Sequence, residues 1–233
     1  MAPKKSARPP KTNDAHGWST PAEVRSNLAI CAITGTKQTP AAATNPAAVP
    51  DIDHWWLQCA LAERDAMAAT DALIAAREDP INLGNDIFCS RPFVEGVIAR
   101  MAKDNDKARS AFTAARAKQE KIVQAQPDFG PPWCVLGLID AALGRKEEAL
   151  REGRRAVELL PVEKDAIRGP AVIKCLAMIA AWAGDKDLAC QQLAIIIRPP
   201  SPVTYGQLKL LPFWDPLRGD PRFEHIVASL APK

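Results

Sequence analysis

Between positions 131 and 161 the chain reads PPWCVLGLIDAALGRKEEALREGRRAVELLP: an apolar run, a break at Gly144 with a polar turn, and then an amphipathic run. In the second run Ala149, Gly153, Ala156, Val157 and Leu160 recur at helical spacing and share one face, with charged positions around the rest. Glu147 with Arg151, and Arg154 with Glu158, stand four residues apart and predict ion pairs along the solvated side. Glycine accepts the left-handed conformation that ends many helices, so Gly144 predicts a cap between the two runs and a helical hairpin follows. Small residues at Gly137, Ala149 and Ala156 let the paired helices approach closely.

The same order recurs along the chain. About 40 residues later Leu176, Ala177, Gly184 and Ala189 replace Leu136, Gly137, Gly144 and Ala149, with Asp185 as an N-cap after the glycine. About 41 residues earlier Gly96, Ala108, Phe112 and Ala115 take the places of Gly137, Ala149, Gly153 and Ala156; the second helix there runs on toward Gln126, where Pro127 stops it. A degraded copy begins at His54, pivots near Ala68 and leads into an irregular loop over 79–90. Four units result, at about 51–80, 93–127, 131–161 and 170–198, each needing its neighbours to bury its apolar face. Over 201–233, Pro212, Pro216 and Pro221 interrupt the chain before an amphipathic turn with Phe223, Ile226, Val227 and Leu230, which predicts a C-terminal cap.

Composition changes the picture mainly at the N-terminus. Residues 1–50 are rich in Pro, Ala, Thr, Lys and Asn, end in a low-complexity stretch over 40–50, and carry too little apolar surface to offset ordering entropy. They are expected to be a mostly disordered tail, apart from one short helix over 21–33, capped by Ser19 or Thr20 with Pro21 in its first turn. Six Lys or Arg against Asp14 and Glu23 give this tail +4, so a total of +3 leaves −1 for the remainder, which lacks the basic face of a nucleic-acid-binding fold. Few aromatics, a single tyrosine at Tyr205 and abundant Ala favour close-packed helices. The six cysteines, Cys31, Cys59, Cys89, Cys134, Cys175 and Cys190, form no CxxC pair and read as reduced thiols. No apolar segment follows the basic start and no run reaches the length of a membrane span, so a soluble cytoplasmic chain without membrane contact is expected.

Trp133, Leu136, Gly137, Ala149, Ala156 and Pro161 fall at the separations of the tetratricopeptide pattern, in which a Trp opens the first helix and a Pro closes the second. The span 93–233, closing on YGQLKLLPFWDPLRGDPRFEHIVASLAP, resembles the C-terminal tetratricopeptide (TPR) segment of large bacterial serine/threonine kinase-like signalling proteins. The resemblance implies an all-α fold: a right-handed superhelix of antiparallel helical hairpins, a TPR-like solenoid, whose repeats mediate protein contacts. In such relatives the repeats follow a catalytic or signalling domain. Here no Gly-rich loop, strand Lys, HRD-like loop or DFG-like Asp is present, so kinase activity does not transfer, and a stand-alone or truncated relative is implied.

Chemistry-bearing patterns are sparse. His16, His54 and His225 lie outside any metal-ligand spacing, and Gly137 and Gly144 follow no strand and form no dinucleotide fingerprint. Cys134, Cys175 and Cys190 fall in helices where small buried residues belong, Glu147 and Glu148 lie on a solvated face, and Trp133 reads as core. No catalytic residue, cofactor, metal or small-molecule substrate is expected. The expected function is a non-enzymatic scaffold or adaptor in signalling, holding a peptide or partner helix in a concave groove. Its wall is assigned to Phe93, Val97, Arg100, Cys134, Leu138, Lys174, Met178 and Trp182, a stripe that can serve as binding surface or as packing between neighbours. Two other readings stay open: a nucleic-acid-associated regulator tethered by Lys4, Lys5, Arg8 and Lys11, and a fragment of a TPR-containing kinase.

Overall fold

A computed structural model describes residues 52–76, 79–82, 88–198 and 201–231; the expected tail over 1–50 and its helix over 21–33 lie outside them. The described chain is mostly helical, as an all-α reading requires. Its helices are α1 (Ile52–Glu63), α2 (Ala66–Ala75), α3 (Arg91–Met101), α4 (Asn105–Ala125), α5 (Gly130–Ala142), α6 (Lys146–Leu159), α7 (Arg168–Ala183), α8 (Lys186–Ile196), α9 (Tyr205–Leu210) and α10 (Pro221–Ser229). A 3-10 turn over Pro212–Leu217 joins the last two. The loop expected to be irregular holds two short antiparallel strands, β1 (Ile81–Asn82) and β2 (Phe88–Cys89), with Ile81 opposite Cys89.

Local chemistry sets the boundaries. The first backbone N–H groups of a helix lack intrahelical partners, and an Asp side chain accepts from them at four starts. Asp65 caps α2, Asp104 caps α4, Asp185 caps α8 and Asp220 caps α10. Thr204 and Gln207 form a reciprocal capping box on α9. Gly144 and Gly184 turn the chain with φ of +82° and +89°, the left-handed conformation that lets α5 and α7 reverse directly into α6 and α8.

Successive helices pair as antiparallel hairpins, α1 with α2, α3 with α4, α5 with α6 and α7 with α8, and each hairpin packs on the next. Contact at the α5–α6–α7 junction is close because two glycines leave room. A Cβ at Gly137 would lie 2.7 Å from Ile179 Cδ1 and 3.0 Å from the Ala149 carbonyl oxygen, and one at Gly153 would lie 2.8 Å from Leu176 Cδ1. Arg91 bridges α2 to α3 by donating to the carbonyls of Leu73 and, at 2.6 Å, Ala76. After α8 the chain folds back: the 3-10 turn packs on α7, α9 reaches α1, and Arg64 grips Asp215 with two hydrogen bonds of 2.5 and 2.6 Å. The first hairpin and the last segment therefore meet.

The surface charge pairing differs from expectation. Among the described residues neither Glu147–Arg151 nor Arg154–Glu158 forms; Glu158 pairs instead with Arg155 at 3.5 Å, and Arg155 also reaches toward Asp128 at 3.9 Å. Exposed pairs of this kind contribute little, so the exchange has small energetic consequence. The glycine contact matters more. Gly137→Val is expected to destabilise the fold by about 2–3 kcal/mol, because the added branches meet backbone at Ala149 as well as the movable tip of Ile179; a urea unfolding midpoint checks it.

Candidate functional site

The structure places the expected groove wall together but not in the open. Phe93 and Val97 on α3, Cys134 and Leu138 on α5, and Lys174, Met178 and Trp182 on α7 are all buried, and only Arg100 is exposed. The cover is the chain's own fold-back segment, which inserts Phe213 and Trp214. Trp182 stacks on Phe213 with ring centroids 5.8 Å apart and donates its indole N–H to the Phe213 carbonyl at 2.8 Å. Its other side takes the edge of Phe112, and the Arg100 guanidinium lies 4.3 Å from the ring centroid. Seven of the eight residues expected to line an accessible concave groove are therefore buried as packing, and Arg100 alone stands at the surface. The physical reason is α7 itself, whose residues 171–183 are buried on every side and would expose a broad apolar face if the segment were absent.

Beneath this cover lies a cavity of about 40 Å³, lined by Phe93, Leu138, Met178, Leu211 and Trp214 with Cys89, Gln58, Gln207 and Lys174. Lys174 is 8% exposed, and burial lowers its ammonium from the ordinary 10.5 to about 8, with Cys175 and Cys134 acting in the opposite direction. The thiols are driven the other way: burial pushes Cys89 far up, and burial with a hydrogen bond to Cys134 does the same to Cys175. A cysteine nucleophile needs the reverse, a favoured thiolate, so these side chains act as packing.

A second buried polar group sits between α4, α5 and α6. Asp140 is fully buried and accepts from Arg116 Nε at 2.6 Å, while Arg116 also pairs with Glu120 at 2.5 Å. Glu152 stands against this centre with Oε2 buried and without a hydrogen-bond partner. Burial first, and the charge of Asp140 second, raise its carboxyl to about 8, so it stays protonated at neutrality. The arrangement ties three helices together with one shared negative charge. Trp133, expected in the core, is only half-buried beside it and donates its indole N–H to the Pro127 carbonyl at 2.9 Å.

The accessible apolar feature is elsewhere. A groove of about 590 Å³ runs between the strand pair, the C-terminal half of α4 and the start of α5. Phe88, Ile122 and Phe129, exposed by 47%, 39% and 41%, converge there with Pro131. Ser90 contributes a hydroxyl that is buried and lacks a hydrogen-bond partner, and Gln119 donates to the Pro132 carbonyl at 2.9 Å and pins α4 to α5 along the floor. Lys118, paired with Asp79 at 3.3 Å, and Arg168 form the polar rim. None of these residues was singled out from the sequence, although the unusual run of α4 toward Gln126 was a readable signal, since the overhang forms the floor. Among the described residues no cluster of His, Cys, Asp or Glu could hold a metal ion, and no helix is long and apolar enough to cross a membrane. Comparisons with family models, with curated proteins and with solved structures find no match.

Two experiments follow from the inner wall. Trp182→Ala is expected to cost about 3–5 kcal/mol of stability, whereas Arg100→Ala costs under about 1 kcal/mol; thermal and urea unfolding of the two variants separates packing from surface. The pH dependence has two parts. Unfolded Lys174 keeps its proton up to about 10.5 and folded Lys174 only to about 8, so stability rises with pH across that window and the full penalty stands below it. Glu152 behaves oppositely: its proton is lost near 4.5 when unfolded and near 8 when folded, so stability falls as pH rises between those values. Lys174→Met is expected to stabilise the protein at pH 7 by on the order of 3 kcal/mol and to remove the upper slope; Glu152→Gln flattens the lower one. Urea midpoints measured from pH 5 to pH 10 decide both.

Proposed function

We propose that the chain is a non-catalytic protein-interaction module, a short right-handed superhelix of tetratricopeptide type, that binds an apolar peptide segment of a partner in the groove beside the strand pair. The observation that carries this reading is the convergence of Phe88, Ile122 and Phe129, three large apolar side chains left in solvent, on one concave surface. Scattered exposed apolar residues are ordinary, but a contiguous set of aromatics and aliphatics with a polar rim is the usual form of a recognition surface. The helical hairpins recurring at a period near 40 support the repeat architecture.

The groove chemistry specifies the occupant. Aromatic and aliphatic walls accept one or two bulky apolar anchors. On the rim Lys118 is balanced by Asp79, and Arg168 adds a polar edge, so the apolar walls set the preference for the anchors. The inner wall with Trp182 is a poorer surface for a partner, because the Phe213 stack and the Trp214 contact would have to be given up first. A signalling context rests on the resemblance of 93–233 alone, and nucleic acid is not required by any feature of the groove.

Selection from a random peptide phage library against the full chain tests the reading. Enriched peptides are expected to share one or two bulky apolar anchors, and to lose at least tenfold in affinity against Ile122→Asp and Phe129→Asp, with unfolding midpoints unchanged because both positions are exposed. Equal binding to the two variants, or loss only in Trp182→Ala, overturns the assignment.

A further inference from the structure

The cavity under the fold-back segment holds a charge without a counter-charge. Lys174 projects from α7 among apolar side chains, nine-tenths buried, and among the described residues no carboxylate, carbonyl or hydroxyl pairs with its Nζ. An unpaired ammonium in such a place is costly, and replacing it by an apolar side chain would relieve that cost. The asymmetry with the Asp140 centre is informative: there a buried carboxylate is met by Arg116, whereas here the cation faces a space.

Two of the other polar groups around that space present donors to it, and Gln58 lines it with an amide whose Oε1 is an acceptor. The Gln207 amide oxygen is engaged by the Thr204 backbone N–H at 3.3 Å, which leaves its NH₂ group to offer hydrogen bonds. The Cys89 thiol stays protonated and is a weak donor. Leu138, Met178 and Leu211 supply an apolar wall opposite. A buried cation, the Gln207 amide and Cys89 thiol donors and an aliphatic wall, with the Gln58 amide neutral and no carboxylate lining the space, suit an anion that carries a short hydrocarbon tail. At about 40 Å³ the cavity has room for about three waters, which matches a carboxylate of two or three carbons and excludes anything the size of an amino acid with a long side chain.

The geometry points to a small-monocarboxylate site in this cavity, with the carboxylate against Lys174 Nζ and the Gln207 amide and the alkyl tail against Leu138 and Met178. This inference is independent of the peptide groove, which shares none of these residues. Binding would supply the missing counter-charge and so couple ligand to the closure of the fold-back segment, because Leu211, Phe213 and Trp214 of that segment complete the walls.

Thermal unfolding of the full chain at pH 7 in sodium propionate or acetate, against sodium chloride at the same ionic strength, tests it. The expected result is an upward shift of several degrees with propionate and a smaller one with acetate, saturating with concentration. The shift should be absent in Lys174→Met and in Lys174→Gln; the second variant serves should the first fail to fold. Propionamide, which matches the shape without the charge, should produce none. An equal shift in chloride, an equal shift in either variant, an equal shift with propionamide, or no shift with propionate overturns the assignment.

Discussion

The constraint that organises this molecule is the all-round burial demanded by α7. Its sequence from 171 to 183, AVIKCLAMIAAWA, is apolar on every face apart from Lys174, so one hairpin partner cannot cover it. Helix α8 takes one side, α5 and α6 take two others, and the remaining side faces what would be the hollow of the stack. That last side is closed by Phe213 and Trp214, carried there by a segment whose prolines keep it from joining a longer helix. Once the segment lies against α7, α9 is brought onto α1 and Asp215 within reach of Arg64, so the meeting of the first hairpin with the last segment is a consequence of covering one helix.

The closure also explains where the polar strain sits. A stack open on its inner side could let Lys174 reach water, as long cationic side chains usually do. Here the cover removes that route and the charge is retained in an apolar setting, with its proton weakly held. The Asp140 centre has the opposite solution: Arg116 arrives from the preceding hairpin, and Glu152 remains protonated so that only one negative charge is buried. One centre has its buried charge met by Arg116 within the protein and ties three helices together, although Glu152 Oε2 there has no hydrogen-bond partner. The other contains a void at the place where a counter-ion would stand.

Much of this was legible in the sequence, and the parts that were not have identifiable causes. Helix class, the reversals at Gly144 and Gly184, the cap at Asp185 and the long run of α4 follow from local rules, because each depends on residues within a few positions of one another. Phe93, Leu138, Lys174 and Met178 of the inner stripe line one cavity, but spacing alone cannot tell an apolar face left for a partner from one covered by a segment thirty residues away. The information was nonetheless present: a groove helix that is to meet water needs polar positions, and 171–183 offers one. In the same way a single charge inside an apolar run, Lys174 in one helix and Asp140 in another, marks a buried site before any coordinates are seen. The exposed pairs on α6 failed for a different reason: at a solvated surface Arg154 and Arg155 compete for Glu158 at nearly equal energy, and spacing does not choose between them.

The outer groove arises from a mismatch of lengths. Helix α3 has 11 residues and α4 has 21, so at 1.5 Å per residue α4 extends about 15 Å past its hairpin partner. A hairpin with matched helices would pack every apolar position of the second against the first. The overhang has no such partner, and it is held instead by Gln119 on the start of α5, which leaves Ile122 facing the strand pair and Phe129 across open space. Propensity alone would not keep Ile122 exposed on a helix that could turn its polar side outward; the orientation is set by Phe112, Ala115 and Val123, which must face the core. Exposure of the groove is therefore fixed by the same burial that stabilises the hairpin, and substitutions at Ile122 and Phe129 change the groove surface without disturbing the fold that presents them.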